Sequence, residues 1–322
     1  MNKVLITREV PERFLTDLKQ VADVEMYPEQ QKPMPREALL AQSKDKTVVI
    51  TMLSDQIDKE YLDSCPDLKA VINLAVGYDN IDVDYAAQKG IVICNTPDVL
   101  TETTAELGFT LMVVTARRII EAAAMVQNGE WTGWSPYLMA GKDVYGKTVG
   151  IYGMGAIGQA FARRCTGFGM TVLYHNRSRH EQAEHELGVT YADFDELIAT
   201  SDYVVCTAPL TEETRNRFDQ QVFKQMKSDA IFINIGRGGH VVEEDLLHAV
   251  KNQEILAAGL DVLAAEPIDS DHPFLNEPNI VVLPHIGSAS VETRDAMIQL
   301  CIDNARYVIN GEHPLTPVNK TR

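Results

Sequence analysis

Arg237, Glu266 and His285 each follow an apolar, strand-like run in the second half of the chain, and together they could move a proton beside an anion. Arg237 stands in Asn234-Ile235-Gly236-Arg237-Gly238, Glu266 in Asp261-Val262-Leu263-Ala264-Ala265-Glu266-Pro267, and His285 in Pro284-His285-Ile286-Gly287-Ser288. Arginine is always charged and presents a forked donor set, which suits holding a carboxylate and polarising the carbonyl next to it. Histidine titrates near neutrality and can give or take a proton at working pH. A glutamate beside it would orient the ring and pair with the imidazolium. Taken singly, each residue has an ordinary reading: a solvated arginine in a Gly-rich turn, a loop glutamate before proline, a surface or core histidine after proline. The ordered set, each member at the place where open α/β sheets put their ligands, is what points to chemistry.

The element that must position a cofactor against them is Thr148-Val149-Gly150-Ile151-Tyr152-Gly153-Met154-Gly155-Ala156-Ile157-Gly158, an apolar strand running straight into Gly-x-Gly-x-x-Gly. Gln159 to Phe168 then reads as helix, and the apolar run Met170 to Tyr174 closes a βαβ unit. Gly153 would make the tight turn, Gly155 would let the backbone approach a pyrophosphate, and Gly158 would let the helix pack close to the strand, with Met154, Ala156 and Ile157 completing the loop. The motif alone is weak; the strand before it and the helix after it supply the context for a dinucleotide site.

The end of the second strand of such a unit addresses the adenosine ribose. An NAD site normally has an acidic residue about 20 residues past the fingerprint. Here the chain reads Tyr174-His175-Asn176-Arg177-Ser178-Arg179, with no acid and two arginines. Asn176, Arg177 and Ser178 are therefore expected to accept a 2′-phosphate, making NADPH the preferred cofactor with NADH also accepted, and Arg179 could partly substitute for Arg177. A basic surface turn is the other reading.

Composition narrows the class. At 322 residues and 45% apolar, the chain exceeds the usual size of one domain. Its net charge, 29 basic minus 46 acidic or −17, argues against nucleic acid or a membrane surface as partner. The five cysteines show no Cys-x-x-Cys pairing and read as buried free thiols in a reducing compartment. No apolar stretch has signal-peptide or membrane-spanning length, so a cytoplasmic protein is expected. The eight histidines lack a paired ligand spacing, and no metal site is expected.

Short apolar runs at Val4-Leu5-Ile6, Val48-Val49-Ile50, Ala70-Val71-Ile72 and Ile91-Val92-Ile93 predict buried parallel strands. One long helical segment is expected from Thr101 to Gln127, stopped near Asn128-Gly129. After the fingerprint, Tyr203 to Cys206, Ala230 to Ile233 and Ile280 to Leu283 alternate with helices such as Glu243 to Asn252. The predicted fold is α/β: two Rossmann-like, doubly wound parallel-sheet domains with a cleft between them. The last helix, Val291 to Asn310, is expected to return to the N-terminal unit. That gives a discontinuous substrate domain of residues 1–99 plus 288–322, a dinucleotide domain of 100–287, and crossings near 99 and 287.

Over essentially its full length the chain resembles the D-isomer-specific 2-hydroxyacid dehydrogenases, whose Arg, Glu and His fall in order on Arg237, Glu266 and His285 behind the matching fingerprint. The resemblance implies hydride transfer from the reduced nicotinamide to the 2-carbon of a small 2-oxo acid, with His285 giving the proton. Within the family, the glyoxylate and hydroxypyruvate reductases are the nearest match. A 2-ketogluconate reductase shares every motif, and nucleotide-sensing corepressors keep a similar triad. Formate dehydrogenases of this fold have Gln where Glu266 stands, and phosphoglycerate dehydrogenases often carry a long C-terminal extension.

By the same resemblance, backbone N–H groups of Val76 and Gly77 in Leu74-Ala75-Val76-Gly77-Tyr78-Asp79-Asn80 would hold the substrate carboxylate as a small nest. Leu53 would form an apolar wall, although a plain turn and an ordinary core residue are the alternatives. Trp131 and Trp134 match a dimerisation arm, with Trp134 supplied across a homodimer to the partner's substrate. The remaining implied cofactor contacts are Thr104, Cys206, Ala208, Pro209, Thr214, Ile235, Gly236, Arg237, His285 and Gly287, together with Asp261, which would meet the nicotinamide amide.

Overall fold

The apolar runs of the first hundred residues become one parallel sheet in the computed structural model, which describes residues 2–320. Its strands are β1 (Asn2–Ile6), β2 (Ala22–Met26), β3 (Val48–Thr51), β4 (Ala70–Asn73) and β5 (Val92–Cys94), in the order β2-β1-β3-β4-β5. Every pairing is parallel. β3 and β4 are buried at each residue, as central strands covered on both faces must be. Because successive side chains point to opposite faces, Val4, Ile6, Val48 and Ile50 join one core while Leu5, Val49 and Val71 join the other. The first core is closed by Cys301, Ile302 and Ala305 of the C-terminal helix Val291–Ile309, whose N-cap Ser290 accepts the Thr293 N–H at 3.1 Å. That helix belongs to the same unit, made of Met1–Leu100 and Ala289–Arg322.

The second unit, Thr101–Ser288, holds β6 (Thr148–Tyr152), β7 (Thr171–His175), β8 (Thr190–Tyr191), β9 (Tyr203–Cys206), β10 (Ile231–Asn234), β11 (Ala257–Leu260) and β12 (Ile280–Val282). All are parallel, in the order β12-β11-β10-β9-β6-β7-β8. The chain runs outward one way from β6 through β7 and β8, and the other way through β9 to β12. The reversal between β6 and β9 is where open α/β sheets bind ligands, and the fingerprint follows β6.

The segment expected as one helix is two, Thr101–Ala116 and Ile119–Gln127. Arg118 breaks it with a left-handed backbone, φ 52°, while its guanidinium clasps Glu121 in the first turn of the second helix at 2.9 Å. Among the described residues, no helix is long and apolar enough to cross a membrane. Nor does any group of three or more His, Cys, Asp or Glu residues stand where it could hold a metal. All five cysteines are buried and free.

Candidate active site

The three fingerprint glycines have different surroundings, and two of them exclude a side chain. Gly153 has φ 107°, and a Cβ there would lie 2.6 Å from the Ala208 nitrogen; one on Gly158 would lie 2.1 Å from the Gly153 oxygen. A Cβ on Gly155 would meet nothing, so the neighbouring packing does not require this glycine, and its open side is the space a pyrophosphate would take. Gly155 is also the N-cap of the helix Ala156–Gly167 and offers no side-chain cap, which leaves the helix's first N–H groups for an anion. The residues thus fit a dinucleotide. Met154 contributes only backbone: its side chain is in the core, and its N–H donates to Asn176 Oδ1 at 2.8 Å. Asn176 therefore ties the fingerprint loop to the turn after β7.

In that turn Arg177 and Ser178 are exposed, and Arg177 is tied to no other side chain among the described residues. Arg179 is engaged instead with Glu184, a carboxylate that the sequence places on the following helix, Glu181–Leu187.

Arg237 leaves the end of β10 on a framed turn. Buried Asn234 donates from Nδ2 to the Arg237 carbonyl at 2.8 Å and accepts the Gly236 N–H on Oδ1 at 3.0 Å. Buried His240 places Nδ1 3.2 Å from the Arg237 nitrogen and Nε2 3.2 Å from the Pro209 carbonyl, so its ring ties this turn to the loop after β9. Arg237 Nη1 donates to the Gly236 carbonyl at 2.8 Å.

His285 follows β12 with φ 54°, a backbone conformation uncommon for a residue with a Cβ. It is held there by buried Asp261, beyond the end of β11, whose two oxygens accept the Ile286 and Gly287 N–H groups at 2.8 Å each. His285 Nδ1 lies 2.7 Å from Glu266 Oε2, and Glu266 Oε1 accepts the Leu263 N–H at 2.9 Å. Burial pushes the Glu266 carboxyl up, but the hydrogen bond and charge of His285, the Leu263 N–H and the Arg237 charge bring it below the ordinary glutamate value. Ionised Glu266 is acceptor only, so Nδ1 carries a proton and Nε2 is left for exchange. The side chains of His285 and Glu266 are 29% and 36% exposed, within reach of a small molecule.

Other expected contacts gather here. A Cβ on Gly287 would lie 3.2 Å from both Asp261 Oδ2 and Thr104 Cγ2, which places these three residues together. Ile235 is buried against Gly108 of the helix that carries Thr104, and Thr214 shapes the loop after β9 by donating from Oγ1 to the Pro209 carbonyl at 2.8 Å. Ala208 is buried and Pro209 exposed. Cys206 ends β9 with its thiol wholly buried and pushed up to about 12 by that burial, and its carbonyl accepts the Ile235 N–H at 3.1 Å. Trp134 is 82% exposed in a segment with Trp131, Tyr137 and Tyr145 also exposed.

In the first unit, Leu53 is half-buried in the turn after β3, and Val76 and Gly77 are half-buried after β4. Three buried asparagines, none singled out from the sequence, knit these loops. Asn95 donates to the Val76 carbonyl and Asn73 to the Gly77 carbonyl, both at 2.8 Å, while Asn80 donates to the Met52 and Asp55 carbonyls at 3.2 and 2.8 Å.

The chain is similar to known proteins over nearly its whole length. Residues 109–287 match the family model for the D-isomer specific 2-hydroxyacid dehydrogenase, NAD binding domain. The chain is 46% identical to a glyoxylate reductase of Thermococcus kodakarensis, over 99% of this chain and 96% of the relative. It is 44% identical to one of Pyrococcus furiosus, over 99% and 95%. Among solved structures, an NADPH-dependent glyoxylate/hydroxypyruvate reductase from Sinorhizobium meliloti, in complex with NADP and malonate, superposes with TM-score 0.86 at 33% identity, covering 98% of this chain and 96% of that one.

Proposed function

This chain belongs to the D-isomer-specific 2-hydroxyacid dehydrogenases and is an NAD(P)-dependent oxidoreductase; from that premise we propose that it reduces a small 2-oxo acid, glyoxylate to glycolate or hydroxypyruvate to the D-2-hydroxy acid glycerate, with NADPH preferred over NADH. The observation that carries the reading is the His285–Glu266 pair, at 2.7 Å, on the same sheet edge as the framed Arg237 turn and an open fingerprint loop. NADPH preference is supported by the exposed Arg177 and the absence of any acid from Tyr174 to Arg179. The names of the similar proteins agree with the substrate class.

The bound reduced nicotinamide would supply a hydride to the 2-carbon of the substrate. Arg237 holds the carboxylate and stabilises the charge that develops on the carbonyl oxygen. His285 gives that oxygen the proton on Nε2, while Glu266 keeps Nδ1 occupied and the ring in place. In the reverse direction neutral His285 takes the hydroxyl proton. Gly153, Gly155 and Gly158, with the backbone N–H groups of Ala156 and Ile157, would hold the pyrophosphate, and Met154 would fix that loop through its bond to Asn176; Asn176, Arg177 and Ser178 would hold the 2′-phosphate. Thr104, Asp261 and Gly287 line the nicotinamide end. We assign Val76 and Gly77 as a backbone anion nest, Leu53 as an apolar wall, and residues 1–99 with 288–322 as the substrate domain. The exposed Trp131, Trp134, Tyr137 and Tyr145 support a homodimer joined through this arm, and the five buried free thiols support a reducing, cytoplasmic setting.

The test is a panel of glyoxylate, hydroxypyruvate, pyruvate and 2-ketogluconate, each with NADPH and with NADH, and chiral analysis of any chiral product. Highest kcat/KM for glyoxylate or hydroxypyruvate with NADPH, and D-glycerate from hydroxypyruvate, are expected. Preference for 2-ketogluconate would reassign the substrate.

A further inference from the structure

The turn after β7 carries two arginines whose surroundings differ. Arg179 Nε donates to Glu184 Oε1 at 3.0 Å, its Nη2 pairs with Glu184 Oε2, and its guanidinium lies 5.9 Å from the centre of the Tyr191 ring. Glu184 is itself held: the hydroxyl of buried Tyr174 donates to Oε1 at 2.6 Å and accepts the His180 N–H at 2.7 Å. Hydrogen bonds from Arg179 and then Tyr174 lower the Glu184 carboxyl to about 2, so it is ionised at any physiological pH. Arg177 has no such anchor among the described residues.

A guanidinium already forked onto a carboxylate has fewer donors and less net charge to offer a phosphate. Resting on the NADPH reading above, we propose that Glu184 is a specificity-determining residue: by holding Arg179 in an ion pair it leaves the 2′-phosphate to Arg177, and so sets the discrimination between NADPH and NADH below what two arginines would give. Tyr174 is the positioning residue that aims Glu184 at Arg179.

Isothermal titration with adenosine 2′,5′-bisphosphate and with 5′-AMP reads this without turnover, since neither fragment contains nicotinamide. The unmodified protein should bind the bisphosphate more tightly. Glu184→Gln keeps an acceptor for the Tyr174 hydroxyl and removes the charge; it should tighten bisphosphate binding by roughly two- to fivefold, the scale of an exposed charge pair, and leave 5′-AMP unchanged. Arg179→Ala should change neither affinity, Glu184→Gln with Arg179→Ala should erase the gain, and Arg177→Ala should abolish the preference where Glu184 is intact but leave part of it in the Glu184→Gln background, where Arg179 is released. Arg179→Ala alters only an exposed side chain, so it decides the matter even if Glu184→Gln fails to fold: a loss as large as that of Arg177→Ala overturns the proposal. A discriminating protein in which Glu184→Gln brings no gain overturns the tether and leaves the NADPH reading standing. Equal affinity of the unmodified protein for both fragments overturns both.

Discussion

Glu266 faces His285 Nδ1 with one carboxylate oxygen, at 2.7 Å, and the Leu263 N–H with the other, at 2.9 Å, so neither partner is free to rotate without breaking a charge-assisted bond. The rest of the proposed chemistry depends on this fixed ring.

His285→Ala should lower reduction and the reverse oxidation by about 10²–10⁴-fold, the usual range for a positioned proton donor. The pH dependence has a defined sign. Because the folded Glu266 carboxyl sits below its ordinary value, the stabilisation from the pair is fully present above that ordinary value and is lost as pH falls through the depressed one. An acid limb of the reduction due to Glu266 should accordingly lie below the usual carboxylate range and vanish in Glu266→Gln, as steady-state pH profiles would register.

Arg237→Ala should cost about 2.7–4 kcal/mol of transition-state stabilisation, roughly 10²–10³ in rate, as removal of one donor at a developing oxyanion does. Steady-state kinetics with glyoxylate would check it, and near-normal kcat and KM would move the role elsewhere.

Asp261 separates two roles in one variant. Asp261→Asn turns an NH2 group toward the Ile286 or Gly287 N–H, leaving a buried donor unsatisfied, which should lower stability by about 1–3 kcal/mol and kcat with it. Urea unfolding and kinetics together decide: a raised KM for NADPH at unchanged stability would mean that Asp261 serves only the nicotinamide.

The central features were open to sequence reading because strand ends, glycines and charged side chains leave local marks. The fingerprint and the Arg237, Glu266 and His285 segments are contiguous patterns. What escaped is what depends on neighbours distant in sequence. β2 alternates Asp23 and Glu25 with half-buried Val24 and Met26 at the sheet edge and so lacks an apolar run. Asn73, Asn80, Asn95, Asn234 and His240 are polar side chains satisfied inside the protein by loop backbones, a role that side-chain type alone does not reveal. Two arginines one residue apart also look equivalent until Glu184 is seen to take one of them.

Arg177→Ala should therefore suffice by itself. It should lower kcat/KM for NADPH by about 10–100-fold, the scale of a hydrogen bond to a charged group, and change the value for NADH little. Parallel kinetics with the two cofactors would show it, and added salt should shrink the difference.

Trp134→Ala should raise the KM for the 2-oxo acid more than that for NADPH, because its proposed contact is with substrate across a dimer. Sedimentation velocity alongside the assay would check this, and a fully active monomer would rule out a shared site.

The most direct test of the proposed reaction is a single turnover: enzyme loaded with NADPH, mixed with glyoxylate or hydroxypyruvate, with absorbance at the reduced nicotinamide band followed as product is quantified. The expected result is one equivalent of NADPH oxidised per equivalent of glycolate or D-glycerate formed, a step slowed by orders of magnitude in His285→Ala with NADPH binding retained. NADPH that binds yet stays reduced with every 2-oxo acid of the panel would contradict the account.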